Sequence, residues 1–213
     1  EAGTKLAGLV GKRASLRSDC LRIPGEGCNV IARRGDAGGG RVVVSAHLDA
    51  KLGTPGAIDN ATGVTFLLLA ADLLKSWNAG YQIELCALNG EDYYAASGQM
   101  AYLKRNETDF GEILLDINID GLGFREGGTA VSFYELPPEI EARVRETIAS
   151  LDGVEVGEPW VQGDHSMFLQ MGVPAIAVTS QWFSDQIDSQ EITHTPKDNL
   201  SIVDPGRVVQ ASE

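Results

Sequence analysis

The sequence predicts an α/β protein built on a mostly parallel mixed sheet with helices on both faces. Three observations carry this expectation. Segments rich in β-branched residues alternate along the chain with segments whose apolar residues recur at helical spacing, the order expected of βαβ units. The strand-like runs RVVVSA (41–46) and QIELCAL (82–88) are largely apolar, as in strands covered on each side. No internal repeat, low-complexity tract or linker interrupts the alternation over 213 residues, so one domain is expected across residues 1–213.

In chain order, residues 1–28 are weakly patterned. Residues 29–34 and 41–46 read as strands joined by the turn GDAGGG at 35–40. A loop rich in Gly and Pro follows at 50–57, and Asn60 can cap a helix over 61–77. Residues 82–88 read as a buried strand, 95–105 as a helix, and 112–119 and 130–134 as strands. Pro137 and Pro138 open a helix over 139–150. A short strand at 154–156 and a short helix at 166–171, stopped by Gly172, lead to a buried strand at 174–179. Pro205 precedes a last helix. The chain starts at Glu1 without Met or signal peptide and ends at Glu213 within helical pattern, so it reads as a piece trimmed at both ends.

Composition narrows the function classes. The formal net charge of −13 argues against nucleic acid as a general partner. No run of eighteen or more apolar residues occurs, so no membrane span is expected. Three cysteines without a CxxC pair provide neither a disulfide framework nor a thiolate zinc site. Cys86 reads as a buried thiol, while Cys20 and Cys28 could pair in an oxidising compartment. Asn60 and Asn106 match the glycosylation acceptor pattern, but Asn60 abuts a candidate ligand and is expected to carry no sugar.

The chemistry is sought beyond the carboxyl ends of the strands, where open α/β sheets place their sites. His47 and Asp49 follow the strand at 41–46, and Asp59 lies in the next loop. Glu91 and Asp92 follow 82–88, Asp120 follows 112–119, and His194 closes the long loop after 174–179. Two His, three Asp and one Glu suit zinc, which takes imidazole nitrogen and carboxylate oxygen. His47 and Asp49, two apart on extended chain, point to one side, so Asp49 is expected to hydrogen-bond the second ring nitrogen of His47. Asp116 competes with Asp120 as a ligand, and the NxD spacing favours Asp120.

Six motifs in order then resemble the M28 metallopeptidases: VVVSAHLDA, GAIDNATG, NGED, NIDGLG, GDHSMFLQMGVPAIAVTS and HTPKDN, spanning residues 42–199. The resemblance implies a zinc-dependent exopeptidase-like fold and two Zn²⁺ per chain, with other divalent metals able to substitute. It implies that Asp59 bridges the ions, His47 and Asp120 complete one, and Asp92 and His194 complete the other. It makes Glu91 the general base for a shared water and proton donor to the leaving amine, with Asp49 supporting catalysis. Asp164, His165 and Asp198 are candidates for supporting or substrate-binding roles, with Asp198 expected to brace the His194 loop. Trp160, Phe168, Trp182 and Phe183 are candidates for a substrate side-chain pocket.

Three positions depart from the family pattern. Asp92 stands where Glu is commoner, Gly163 where Ser is usual, and Thr193 where several members carry an oxyanion-binding Tyr. The activity implied is aminopeptidase, acting on peptide or small aminoacyl substrates. The alternatives are a glutaminyl cyclase-like or carboxypeptidase-like enzyme on the same fold, or a binding relative without catalysis. No Arg stands placed near the motifs to hold a substrate carboxylate, as a carboxypeptidase requires. The resemblance favours a secreted or periplasmic location, and no pattern sets an oligomeric state.

Overall fold

The computed structural model describes residues 2–15, 17–21, 24–93, 96–186 and 191–212. Its elements in chain order are α1 (Ala2–Ala7), β1 (Val30–Gly35), β2 (Arg41–His47), α2 (Thr62–Leu73), β3 (Gln82–Leu88), α3 (Ser97–Arg105) and β4 (Ile113–Ile119). They continue as β5 (Thr129–Tyr134), α4 (Pro138–Ala149), β6 (Val154–Val156), α5 (His165–Gln170), β7 (Ala175–Ser180), α6 (Gln181–Gln186) and α7 (Pro205–Ser212).

The strands form one mixed sheet in the order β1-β3-β2-β4-β7-β5-β6. The central four, β3, β2, β4 and β7, run parallel. β5 and β6 are parallel to each other, but β5 is antiparallel to β7, and β1 is antiparallel to β3. The expected α/β class with a mostly parallel mixed sheet is therefore the observed one.

Alternate residues of β2 and β3 feed opposite clusters. Val43, Cys86 and Leu88 pack with Tyr102 of α3, Phe110, and Phe168 of α5, whose rings meet edge-on or tilted within 6.3 Å. Val44, Ala46, Ile83 and Ala87 pack with Leu67 of α2 and Val208 of α7. Each strand thus buries both faces, which is why its apolar run is nearly continuous. Glu84 is the exception. It shares the face of Cys86 and is fully buried, and there it accepts from Arg33 and the Tyr102 hydroxyl, with Arg41 Nε 3.6 Å away. Asn106 completes this cluster by accepting from both arginines, and its own burial excludes a sugar there despite its acceptor pattern.

The turn at 35–40 joins β1 to β2 as expected, and β3 lies between them in the sheet. The helix expected over 61–77 is present as α2 with a closing 3-10 turn at Leu74–Ser76, and a π-type turn at Ala57–Ala61 precedes it. Asp59 and Asn60 have non-helical backbone inside that turn, and the peptide between them is cis. The stretch Ala57–Ser76 is apolar enough by length and composition to cross a bilayer, with mean hydropathy 1.4, yet it lies against the sheet through Leu67 and Ala70. The helix expected from residue 95 begins at Ser97; Ala95 and Glu213 lie outside the described residues. α1 and α6 had no expectation; each is a six-residue piece, too short for a helical period to register. Cys20 and Cys28 are free and exposed, and Cys86 is buried.

Candidate metal centre

The parallel strands end at one edge, and that edge collects the candidate residues. β2 terminates in His47, the turn after β3 carries Glu91 and Asp92, and Asp120 directly follows β4. Asp59 reaches the same edge from the kinked turn before α2. Asn60 anchors that turn, accepting from the Gly63 N–H at 3.0 Å and donating to the Ile119 carbonyl at 2.8 Å. The Asp198 carboxylate accepts from the N–H groups of Ile58 at 2.7 Å and Asp59 at 3.2 Å. Asp198 thus ties the Asp59 turn to the segment bearing His194, rather than bracing the His194 loop alone. His194 itself sits in the left-handed region at φ 61, where a non-Gly residue is strained and such strain gathers at functional sites.

Asp59 presents one carboxylate oxygen to each histidine. Its Oδ1 lies 3.0 Å from His47 Nε2 and its Oδ2 lies 3.2 Å from His194 Nε2. A second acid flanks each ring: Asp120 Oδ1 at 3.5 Å from His47 Nε2, and Asp92 Oδ1 at 2.7 Å from His194 Nε2. The donor atoms of His47, Asp59 and Asp120 lie within 4.8 Å of one another, as do those of Asp59, Asp92 and His194. Asp92 Oδ2 is buried without a hydrogen-bond partner, and His47 Nε2 is buried with carboxylate oxygens of Asp59 and Asp120 as its neighbours. Buried polar atoms are rarely left unpaired. An unpaired buried carboxylate oxygen beside two overlapping imidazole–carboxylate sets fits divalent cations of the zinc type. Asp92, one methylene shorter than the commoner Glu, is held through its backbone. Its N–H is drawn to Asp49 Oδ2 at 3.2 Å, and its carbonyl accepts from Lys51 Nζ.

Charge follows geometry. Burial opposes ionisation of Asp59, but hydrogen bonds from His194 and His47 outweigh it and hold its carboxyl well below the usual range. Hydrogen bonds to Asp59 and Asp92 raise His194 to about 10. His47 is raised as well: burial opposes its charge, but Asp120 and Asp59 more than offset it. Burial and then the charge of Asp120 push Glu91 up to about 8. Asp120 is itself raised by burial, against the pull of His47.

The other candidates separate by position. Asp49 does not turn its carboxylate to His47. The imidazole Nδ1–H is within 2.9 Å of the Asp49 carbonyl oxygen, and the nearest carboxylate oxygen is 3.8 Å away. Asp116 is buried within the sheet, accepts from Ser45 Oγ, and stays away from the cluster. His165 is fully buried behind it, its Nε2 against the Trp160 carbonyl at 3.1 Å and its ring 4.5 Å from that of Tyr134; burial pushes its pKa down. Asp164 is buried and accepts from Gln99 Nε2 at 2.7 Å; burial raises its carboxyl to about 6. Gly163, at φ +114, leaves its Cβ position 3.0 Å from His165 Nδ1, so a side chain there would crowd the imidazole.

A cavity of about 270 Å³ opens over the cluster. Glu91, Thr193 and His194 line it with Trp160 and Phe183, whose rings stand 6.0 Å apart. Phe168 lies instead in the core, and Trp182 packs on Phe124. Gln99, Gln162 and Ser166 also reach the cavity and carried no sequence signal. Lys51 extends the two-residue spacing of His47 and Asp49, a signal that could have found it.

Residues 29–213 match the family described as Peptidase family M28. The chain belongs to this family. No curated protein matches the sequence. Among solved structures, the M28 chain resembles an aminopeptidase from Aneurinibacillus sp. strain AM-1 (TM-score 0.72, 19% identity, covering 86% of this chain and 45% of that one). It also resembles BSAP, a zinc aminopeptidase from Bacillus subtilis (TM-score 0.71, 22% identity, 86% and 47% coverage). A third likeness is the Legionella pneumophila LapA aminopeptidase (TM-score 0.73, 17% identity, 86% and 52% coverage). The chain spans about half the length of these structures.

Proposed function

We infer that this M28 chain is the catalytic part of a two-zinc aminopeptidase. The observation that carries the reading is Asp59, with one oxygen 3.0 Å from His47 and the other 3.2 Å from His194, each ring flanked by a further acid. His47, Asp59 and Asp120 would hold one ion, and Asp59, Asp92 and His194 the other. When bound, such ions supply Lewis acidity and make water a nucleophile near neutral pH.

The chain's own part is to move one proton and to place one substrate end. Glu91 lines the cavity and is half-buried, and its raised carboxyl suits proton exchange near neutrality. Its carboxylate takes the proton of the attacking water and passes it to the leaving amine nitrogen. Acids crowd the cavity floor, and none of the described lining residues is Arg or Lys. The described lining thus offers no Arg or Lys side chain for a C-terminal carboxylate, which supports an aminopeptidase over a carboxypeptidase. Trp160 and Phe183 offer an apolar wall for the first side chain.

Elemental analysis of the purified protein, run beside a panel of free and N-blocked aminoacyl reporters, tests the reading. Close to two zinc-type ions per chain, with turnover only of free-amine reporters, is expected. One ion per chain with cyclisation of N-terminal Gln, or turnover of C-terminal reporters alone, would overturn it.

A further inference from the structure

Asp49 makes three hydrogen bonds that the metal cluster does not account for. Its Oδ1 accepts from the backbone N–H of Gly90 at 2.6 Å and of Glu91 at 3.2 Å, and its Oδ2 accepts from Asp92 N–H at 3.2 Å. The turn after β3 is thus wrapped around one carboxylate, reaching across 41 to 43 residues of chain. Successive backbone N–H groups converging on an anion form a rigid cradle, because a single carboxylate fixes several donors at once. Gly90 makes the cradle possible. It sits at φ +90, and a Cβ there would lie 2.6 Å from Ser97 Oγ.

On the reading of the site given above, we propose that Asp49 is a positioning residue for Glu91: its carboxylate sets the backbone from which the proton-transferring side chain projects. The competing role, orientation of His47, is served by a different atom. His47 Nδ1 is met by the Asp49 carbonyl oxygen at 2.9 Å, which any residue at position 49 would retain. The carboxylate stands 3.8 Å from that nitrogen. Asp49 therefore divides its labour: the main chain steadies the imidazole, and the side chain steadies the turn of Glu91 and Asp92.

Asp49→Asn separates the two roles. The amide keeps one acceptor oxygen and turns an NH₂ donor toward the remaining N–H. In the metal-free protein, amide exchange at Gly90, Glu91 and Asp92 should speed up by roughly tenfold or more, while the β2 amides keep their protection. In the zinc-loaded protein, metal affinity should stay within about threefold, and kcat should fall roughly 10- to 100-fold with KM little changed, as expected when a reacting group is displaced by a fraction of an ångström. Metal affinity falling 10- to 100-fold with exchange at 90–92 unchanged would overturn the proposal in favour of an action through His47. Unprotected amides at 90–92 in the unsubstituted protein would overturn it without mutagenesis. If the unsubstituted protein turns over no aminoacyl reporter, the functional reading fails, yet the exchange and affinity arms still decide whether the carboxylate holds the turn.

Discussion

Loading the centre with zinc should release protons, because its histidines are raised by the acids around them. In the metal-free chain His194 is held between Asp92 at 2.7 Å and Asp59 at 3.2 Å and is raised to about 10. His47, with Asp59 at 3.0 Å and Asp120 at 3.5 Å, is raised too. At pH 7 His194 carries its proton and the surroundings of His47 favour its protonated form, whereas metal ligation requires each Nε2 lone pair to be free. Binding two ions should therefore expel the His194 proton and any that His47 holds, and Glu91, raised to about 8, should add up to about one below pH 8 because nearby cations favour its charged form. The sign is fixed. Zinc affinity should fall as pH falls, by about tenfold per unit for each displaced histidine proton. Glu91's share should fade as pH rises through about 8, and that of His194 as pH approaches about 10. Titration calorimetry in two buffers of different ionisation enthalpy reads the proton count directly. Zinc binding with no proton release at pH 7, or an affinity flat between pH 6 and 8, would refute the reasoning.

Three further outcomes are expected. Glu91→Ala should keep the metal content and lose activity by roughly a hundredfold or more, measured as kcat on an aminoacyl reporter; near-normal turnover would remove Glu91 from the mechanism. Asp59→Ala should lower the metal content itself, because both imidazole sets lose a shared ligand, and two ions at full occupancy by elemental analysis would show that Asp59 does not bridge. Gly163→Ser, which restores the residue commoner in the family pattern, should cost about 1–2 kcal/mol because φ is +114 and the new Cβ lies 3.0 Å from His165 Nδ1. That corresponds to a fall in Tm of roughly 2–8 °C, and an unchanged melting curve would contradict the crowding.

Much of the sheet was legible because its central strands bury both faces. β3 could be read as residues 82–88 from its apolar run alone, and β2 differed only by gaining His47. Pairing was less legible. The GDAGGG turn brings 29–34 and 41–46 close in sequence, yet β3 enters between them, with Arg33 of β1 and Arg41 of β2 both beside its Glu84. Helical spacing marks α2 from 61 onward but not the π-type turn before it, where Asp198 accepts from the N–H groups of Ile58 and Asp59 from about 140 residues away.

The site shows the same division between what a residue type announces and what it leaves anonymous. Histidines and acids are few enough, and their chemistry particular enough, that their positions after parallel strands point to one edge. Asp49 and Asp198, however, meet backbone N–H groups, which every residue except proline carries, so no composition or spacing marks the ones that matter. Asp49 illustrates the consequence. Spacing placed it beside His47, and it is beside His47, but the carboxylate turns to three main-chain donors 41 to 43 residues onward. A two-residue spacing can say which side of the chain an acid leaves from. Which of several nearby donors it then meets depends on how the next loop folds back, and for Asp49 that loop is the one carrying Glu91.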